Sequence, residues 1–325
     1  MDALSDMLRV AHITGGVYLH AEFTAPWCLS GRLSPDRCAP FLGPAAHLIQ
    51  YHYVVDGELR LRVIGGEEEE VHLGRGDLVL LPRNEMHLMG SDLGLAPVLG
   101  SEVIQPGKDG GLFTIRLGGG GAETRMVCGY LGSDSTALNP LIRALPSVIR
   151  LKAEENSDAA WVRSTFQFAA EEVAGGRPGS ETVLAKLSEL LFVESVRRYA
   201  ETLPDDETGW LAGLRDPHVA KALALFHRDV GRSWTHDELS REVGLSRSAL
   251  ADHFTRLVGT APMQYLANWR MQVAAQKLRN STASLAQIAD AVGYDSEAAF
   301  SRAFKKIYGT APGAWRRSPT ESAIG

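Results

Sequence analysis

Cysteine is scarce in these 325 residues: Cys28, Cys38 and Cys128 are the whole supply, and no pair stands at C-x-x-C spacing. Three thiols make no disulfide framework, and each reads first as a small buried hydrophobe. Long apolar runs are missing too. Nothing approaches the roughly 18 residues of a membrane span, and MDALSDMLRV at the start has neither the basic flank nor the apolar core of a secretory leader. A cytoplasmic chain with reduced thiols and no membrane partner is the expectation. Legible enzyme signatures are also lacking. No nucleophile–base arrangement for hydrolysis stands out. The tetraglycine Gly118 to Gly121 is followed by no GK[ST], so it is expected to be a mobile loop near the mouth of its domain rather than a phosphate cradle.

What is present is ample for two domains. The chain is 45% hydrophobic and 22% charged, the balance of a globular protein with adequate core material. Its net charge of −6 argues mildly against nucleic acid as a partner, but the charge is unevenly spread. Residues 211–325 hold 15 basic and 10 acidic residues, the remainder 18 and 29. A basic reader and an acidic sensor fit that asymmetry.

The basic part repeats itself. Glu238 to Pro262 and Gln287 to Pro312 pair Leu239 with Ile288, Gly244 with Gly293, Leu250 with Phe300, Phe254 with Phe304 and Leu257 with Ile307. Each copy closes on Gly-Thr-Ala-Pro, and the second carries one extra residue in its turn. Each reads as helix, Gly-containing turn and second helix. Ser246 and Ser296 stand where N-caps belong. The stripes Leu250, Phe254, Leu257 and Phe300, Phe304, Ile307 face inward, which turns Ser248, Asp252, Thr255 and Arg256, and Ala298, Arg302, Lys305 and Lys306, outward. With Arg247, these form the candidate DNA face. Arg302 suits guanine, Asp252 a cytosine amine, and Lys305 and Lys306 phosphates. The plain alternative is a helical bundle with a solvated basic face.

Joined by a helix expected from Met263 to about Arg279, the pair resembles the DNA-binding domain of AraC/XylS transcription regulators, most specifically in GYDSEAAFSRAFKKIYGTAPGAWRR (Gly293 to Arg317). The resemblance implies two recognition helices in successive major-groove segments, promoter DNA and RNA polymerase as partners, and most often activation. Two such helices need about 34 Å between them, and a linker of roughly 17 residues at 1.5 Å each, with the flanking helices, can supply it.

Residues from about 15 to 135 read as strands. Around Leu48 to Val54 polar and apolar residues alternate, Asp56-Gly57 turns into Glu58–Val63, Gly65-Gly66 turns again, and Val71 to Leu73 leads on to GRGDLVLLPRNEMHLM (Gly74 to Met89). Such short strands indicate a sandwich or small barrel. Gly76, Pro82 and His87 resemble the second motif of cupin barrels; the usual HxH pair and glutamate of the first are absent, with Gln50 about where the glutamate would be. Gln50 and His52 share a strand face, so Gln50, His52 and His87 are candidates for an effector pocket. With Cys128 on a later strand, His52 and His87 can form a zinc or other transition-metal site; hydrogen-bonded core histidines are the alternative.

The N-terminal half further resembles the cupin-type AraC regulators that include the reactive-chlorine-responsive activator, through Met1 to Leu8, Tyr51-His52, Leu78 to Pro82 with His87, and Val127-Cys128-Gly129. That resemblance implies cysteine oxidation as a switch. Cys128 matches one of the two cysteines; Cys28 is displaced from the other, and Cys38 lies farther still.

From Ser157 to about Leu203 the pattern becomes helical, with Val183, Leu184, Leu187, Leu190, Leu191 and Val196 recurring and GGRPGS (Gly175 to Ser180) as a break. It reads as a homodimer seam or a cover over the barrel. The expected map is a cupin-like sensor barrel over 1–140, a helical cover or dimerisation segment over 141–203, a linker over 204–215, and an all-α double helix-turn-helix domain over 216–318. The leading function is a DNA-binding transcription regulator, not an enzyme, answering to a small molecule or an oxidant. A metal-dependent cupin enzyme carrying a DNA-binding module is the alternative, and a structural DNA-binding protein a third.

Overall fold

A computed structural model describes residues 2–11, 13–34, 47–66, 70–106, 113–133, 140–152, 164–165, 168, 179–204 and 207–317, and the structural statements that follow concern these. Cys38, most of the Gly175 to Ser180 break, and Asp205 and Asp206 of the expected linker lie outside them.

Two compact units emerge, and neither is one continuous stretch. Ile13–Asp134 joins Leu145–Tyr199 in a sheet unit. Met1–His12, Ser135–Ala144 and Ala200–Gly325 form a helical unit. The boundaries 140 and 203 read from sequence are therefore corrected, because helix α1 (Ala3–Ala11) belongs with the DNA-reading helices. Its Met7 and Ala3 are buried, and Gln276 donates to the carbonyl of Arg9 at 3.2 Å.

The sheet unit strings together β1 (Ile13–Thr24), β2 (Cys28–Gly31), β3 (His47–Asp56), β4 (Glu58–Val63), β5 (Val71–Gly74), β6 (Leu78–Leu81), β7 (His87–Gly90), β8 (Val98–Leu99), short helix α2 (Gly100–Val103), β9 (Ile104–Gln105), β10 (Phe113–Gly118) and β11 (Glu123–Ser133), with β12 (Ile149–Leu151) added later. They form a seven-stranded sheet ordered β12-β6-β3-β11-β1-β10-β9 and a five-stranded sheet ordered β5-β4-β7-β2-β8. Period-2 alternation decides what goes inside. Leu59, Leu61 and Val63 of β4 are buried while Glu58, Arg60 and Arg62 face out. They meet Phe23, Trp27, Leu29, Val54, Val79 and Met126 in one apolar core.

Two expectations are corrected here. Asp56-Gly57 makes no hairpin: β3 pairs with β6 and β11 and β4 with β5 and β7, so this turn carries the chain from one sheet to the other. Gly118 to Gly121, expected as a mobile loop, is tied by backbone hydrogen bonds to the end of β1. Gly119 N–H donates to Thr24 O at 2.9 Å and Gly121 N–H to Ala25 O at 2.7 Å. A Cβ on Gly118 would lie 1.9 Å from Thr24 O, so glycine is needed there for close backbone approach.

Helix α3 (Pro140–Ala144) belongs to the helical unit, whereas the first twenty residues of α4 (Ser180–Thr202) belong to the sheet unit. Leu184, Leu191, Phe192 and Val196 are buried, Ser188 Oγ lies 3.0 Å from Tyr51 Oη, and Gly15 N–H donates to Glu189 at 3.1 Å. These contacts make α4 a cover over the seven-stranded sheet. Val183 and Leu190 remain outside, 37% and 48% exposed.

In the helical unit α5 (Trp210–Arg215) replaces the second half of the expected linker. Trp210, Leu211, Ala212 and Gly213 are buried, and Trp210 Nε1 donates to Tyr265 Oη at 2.8 Å, so a segment whose neighbours are Pro, Asp and Gly is pinned as core. It is followed by α6 (Pro217–Arg228), α7 (His236–Val243), α8 (Arg247–Val258), α9 (Pro262–Asn280), α10 (Leu285–Ala291), α11 (Glu297–Tyr308) and α12 (Pro312–Arg317).

Candidate functional site

The repeat forms as its caps dictate. Ser246 Oγ accepts from Ala249 N–H and Ser296 Oγ from Ala299 N–H, both at 3.2 Å, satisfying donors that a helix start leaves unpaired. α8 ends on Gly259 and α11 on Gly309, at φ 78° and 73°, the left-handed geometry of a C-terminal glycine. Thr235 with Glu238 and Ser284 with Gln287 close reciprocal capping boxes on α7 and α10. Leu250, Phe254 and Leu257 are buried, as are Phe300 and Phe304, while Ile307 is half-buried.

The eight positions turned outward by that stripe, Ser248, Asp252, Thr255, Arg256, Ala298, Arg302, Lys305 and Lys306, are all exposed. Arg256 leans on His253 at 2.8 Å. Arg247 is exposed as well, but it pairs with Asp237 of α7. α9 begins and ends within a residue of the predicted linker helix.

The second constellation lies inside the sheet unit. His52 stands on β3 directly opposite Cys128 on β11, so the two side chains share a face, and Gln50 follows by alternation. His87 comes from β7 of the other sheet. The two imidazoles face each other with ring centroids 5.4 Å apart. Gln50, His52, His87 and Cys128 line one cavity of about 430 Å³ whose walls include Leu19, Leu29, Met89, Phe113 and Ile115. The three effector candidates and Cys128 are thus brought together. What sequence reading missed is the apolar wall, because those residues look like any other inward-facing strand positions.

Burial sets the protonation states. It pushes His52 down to about 3, with the neighbouring His87 adding to the effect. His87 is lowered too, against the Glu85 carbonyl that favours its charged form. Both rings are neutral at pH 7. His87 Nδ1 lies 3.1 Å from Glu85 O; a carbonyl only accepts, so Nδ1 carries the proton and Nε2 keeps its lone pair. That Nε2, both nitrogens of His52, and Gln50 Oε1 are buried without a hydrogen-bond partner.

The metal and redox candidates fare differently. Among the described residues no group of three or more His, Cys, Asp or Glu side chains is placed to hold a metal ion. Cys28 and Cys128 are free and buried, and burial raises both thiols above their ordinary value. Strand alternation puts them in separate clusters: Cys128 lies in the main core, Cys28 beside Leu88 and Leu93.

The comparisons with known proteins find one family in each part of the chain. A family described as Cupin matches residues 2–201, and a helix-turn-helix domain family matches residues 239–318. An AraC-like transcription regulator of Streptomyces lividans is 36% identical over 321 residues, covering 98% of this chain and 99% of its own.

The chain belongs to the AraC-like transcription regulators.

Further relatives of this regulator are the HTH-type transcriptional regulator AlkR of Acinetobacter baylyi, 29% identical over 98% of this chain and 99% of its own, and the RCS-specific HTH-type transcriptional activator RclR of Escherichia coli, 26% identical over 97% of each. Among solved structures, the DNA-binding domain of AdpA with a target DNA is 28% identical, covers 31% of this chain and 90% of its own, and has a TM-score of 0.30. The regulator binds DNA through its helix-turn-helix domain and is not an enzyme. No described helix is long and apolar enough to cross a membrane.

Proposed function

We propose that this AraC-like regulator is a cytoplasmic, effector-responsive activator whose signal is a small organic molecule held in the sheet-unit cavity. One observation carries the reading: four buried polar atoms, Gln50 Oε1, His52 Nδ1, His52 Nε2 and His87 Nε2, have no partner and belong to side chains that line one apolar-walled cavity. Leaving such groups unpaired costs about 1–3 kcal/mol each, and a ligand that bonds to them recovers it. Gln50 Oε1 and His87 Nε2 accept only, and His52 offers one donor and one acceptor. The matching effector is uncharged, has an apolar body, and carries hydrogen-bond donors at one end.

The same lone pairs suit zinc or another transition metal, and the two facing imidazoles fit half of such a site. A third ligand would have to be Cys128, whose raised pKa disfavours the thiolate a metal needs. The organic effector is the better fit, and an oxidant acting at Cys28 and Cys128 fits least.

The test uses full-length protein purified without chelator. Its melting temperature is followed against phenols, alkanols and the matching hydrocarbons while its metal content is assayed. Stabilisation by the donor-bearing molecules, lost in Gln50→Leu and kept in Cys128→Ser, is the expected result. Stoichiometric metal that disappears in His52→Leu would replace this reading with the metal one.

On the reader side, Arg302 and Asp252 would contact bases and Lys305 and Lys306 phosphates, with RNA polymerase the partner at the promoter. Exposed Val183 and Leu190 on α4 would form the seam of a homodimer. Sedimentation at micromolar concentration, with and without DNA, checks it, and a monomer in both removes it.

A further inference from the structure

Arg270, midway along α9, is held by backbone carbonyls from both halves of the reader. Its Nε donates to Val230 O at 3.0 Å and its Nη2 to Arg232 O at 2.8 Å. Both carbonyls lie in the connector between α6 and α7, just ahead of the first helix-turn-helix. Its Nη1 donates to Gly293 O at 3.2 Å, in the turn of the second. The guanidinium also stands 5.9 Å from the ring of Tyr294. Arginine spreads five donors over three nitrogens and so spans three acceptors set apart, whereas lysine offers its three donors from one nitrogen.

The surrounding backbone is fitted to this bridge. Gly293 has φ +76°, and a Cβ there would come within 2.6 Å of both Arg270 Nη2 and Gly231 O. A Cβ on Gly231 would meet Ala291 O at 3.1 Å. Two glycines thus let the connector and the second turn approach through the guanidinium. Elsewhere the two halves pack on α9 through separate apolar groups. Tyr265 meets Phe226 and Phe254 on one side, and Met271, Ala274 and Leu278 join Phe300 and Phe304 on the other. Apolar packing is not directional; the three hydrogen bonds are.

We propose that Arg270 is a positioning residue that fixes the spacing and angle at which α8 and α11 engage DNA. The proposal rests on the reading that both helices enter the duplex. Two such helices reach successive major-groove segments only at about one helical turn, roughly 34 Å, so a loosened junction lets the second reader wander and lowers its effective concentration at its box.

The experiment is selection from a random-sequence duplex pool by the full-length chain, its Arg270→Met and Arg270→Lys variants, and Gly293→Ala, which disturbs the same junction from the opposite side. Thermal melting confirms that each variant folds. The wild type is expected to enrich two boxes at one spacing. The variants should enrich the same boxes at several spacings and bind the wild-type fragment about tenfold more weakly. Arg270→Lys should side with Arg270→Met, because charge without the fork cannot bridge. Variants that keep the single wild-type spacing, or that change the box sequences themselves, overturn the proposal alone. A wild type that enriches only one box overturns the two-reader reading and this proposal with it.

Discussion

Each unit of the regulator buries neutral histidine, and the two cases differ in what the rings touch. His227 in the helical unit and His52 in the sheet unit are both driven to about 3 by burial. His227 Nε2 lies 2.8 Å from Tyr265 Oη, which also accepts from Trp210, and its ring stacks on Trp269 at 3.9 Å. His52 has no partner on either nitrogen and faces a cavity. Burial and pKa are alike; what separates scaffold from site is that one ring nitrogen of His227 meets Tyr265, whereas neither nitrogen of His52 meets a partner. On the proposed function, the reader carries its chemistry on its outside and its histidine as structure, and the sensor does the reverse.

The sharpest way to break this contrast is His227→Ala. It removes a stacked ring and takes one of two hydrogen-bond partners from Tyr265, so unfolding free energy should fall by about 3 kcal/mol or more, read as a lower urea midpoint. A loss below about 1 kcal/mol would mean that the network holds little. Next comes Arg302→Ala, expected to weaken binding to a selected site by about 1–3 kcal/mol and relax one base position, with melting unchanged. Lys305→Ala should instead weaken all sequences and lower the salt slope by about one. Identical behaviour of the two mutants across sequences defeats the split into reading and positioning roles.

Acid provides the third test. Both histidines have folded pKa values below the ordinary 6.5, so the unfolded chain takes up protons that the folded one refuses. Their stabilising contribution is complete above about pH 6.5 and is lost as pH falls toward 3, at up to about 1.4 kcal/mol per pH unit for each ring. His52→Leu should flatten that slope by one proton, which urea midpoints from pH 6.5 to 4 would show. The smallest loss expected is in stability at pH 7: His52→Leu removes two unpaired polar nitrogens for an apolar side chain of similar volume, so stability should hold or rise while effector-induced stabilisation is abolished. A large destabilisation would make His52 a scaffold residue like His227.

The reader was legible from sequence because its signals are local. Ser246, Ser296, Gly259 and Gly309 act within one helical turn, and the stripes repeat every three or four residues. Alternation likewise placed Gln50 and His52 on one face. Pairing between strands is set elsewhere, so Asp56-Gly57 looked like a hairpin until the two sheets showed where its strands go. Gly118 reads as flexible until Thr24 is seen against it. Trp210 reads as the edge of a linker until Tyr265, 55 residues on, supplies its partner. Arg270 was invisible for a different reason: its partners are carbonyls, and every residue has one.

Helix α1 precedes the whole sheet unit in the chain, yet packs with helices that follow it. During synthesis at about 5–20 residues per second, it would leave the ribosome roughly 10 to 40 s before the stretch beginning at Ala200 that it docks against. Until then Met7 and Ala3 have no pocket to fill, and the reader assembled from Ala200 onward is complete only when this early piece is retrieved. A gene fragment starting near Leu203 would therefore encode both readers but leave uncovered the surface that α1 buries.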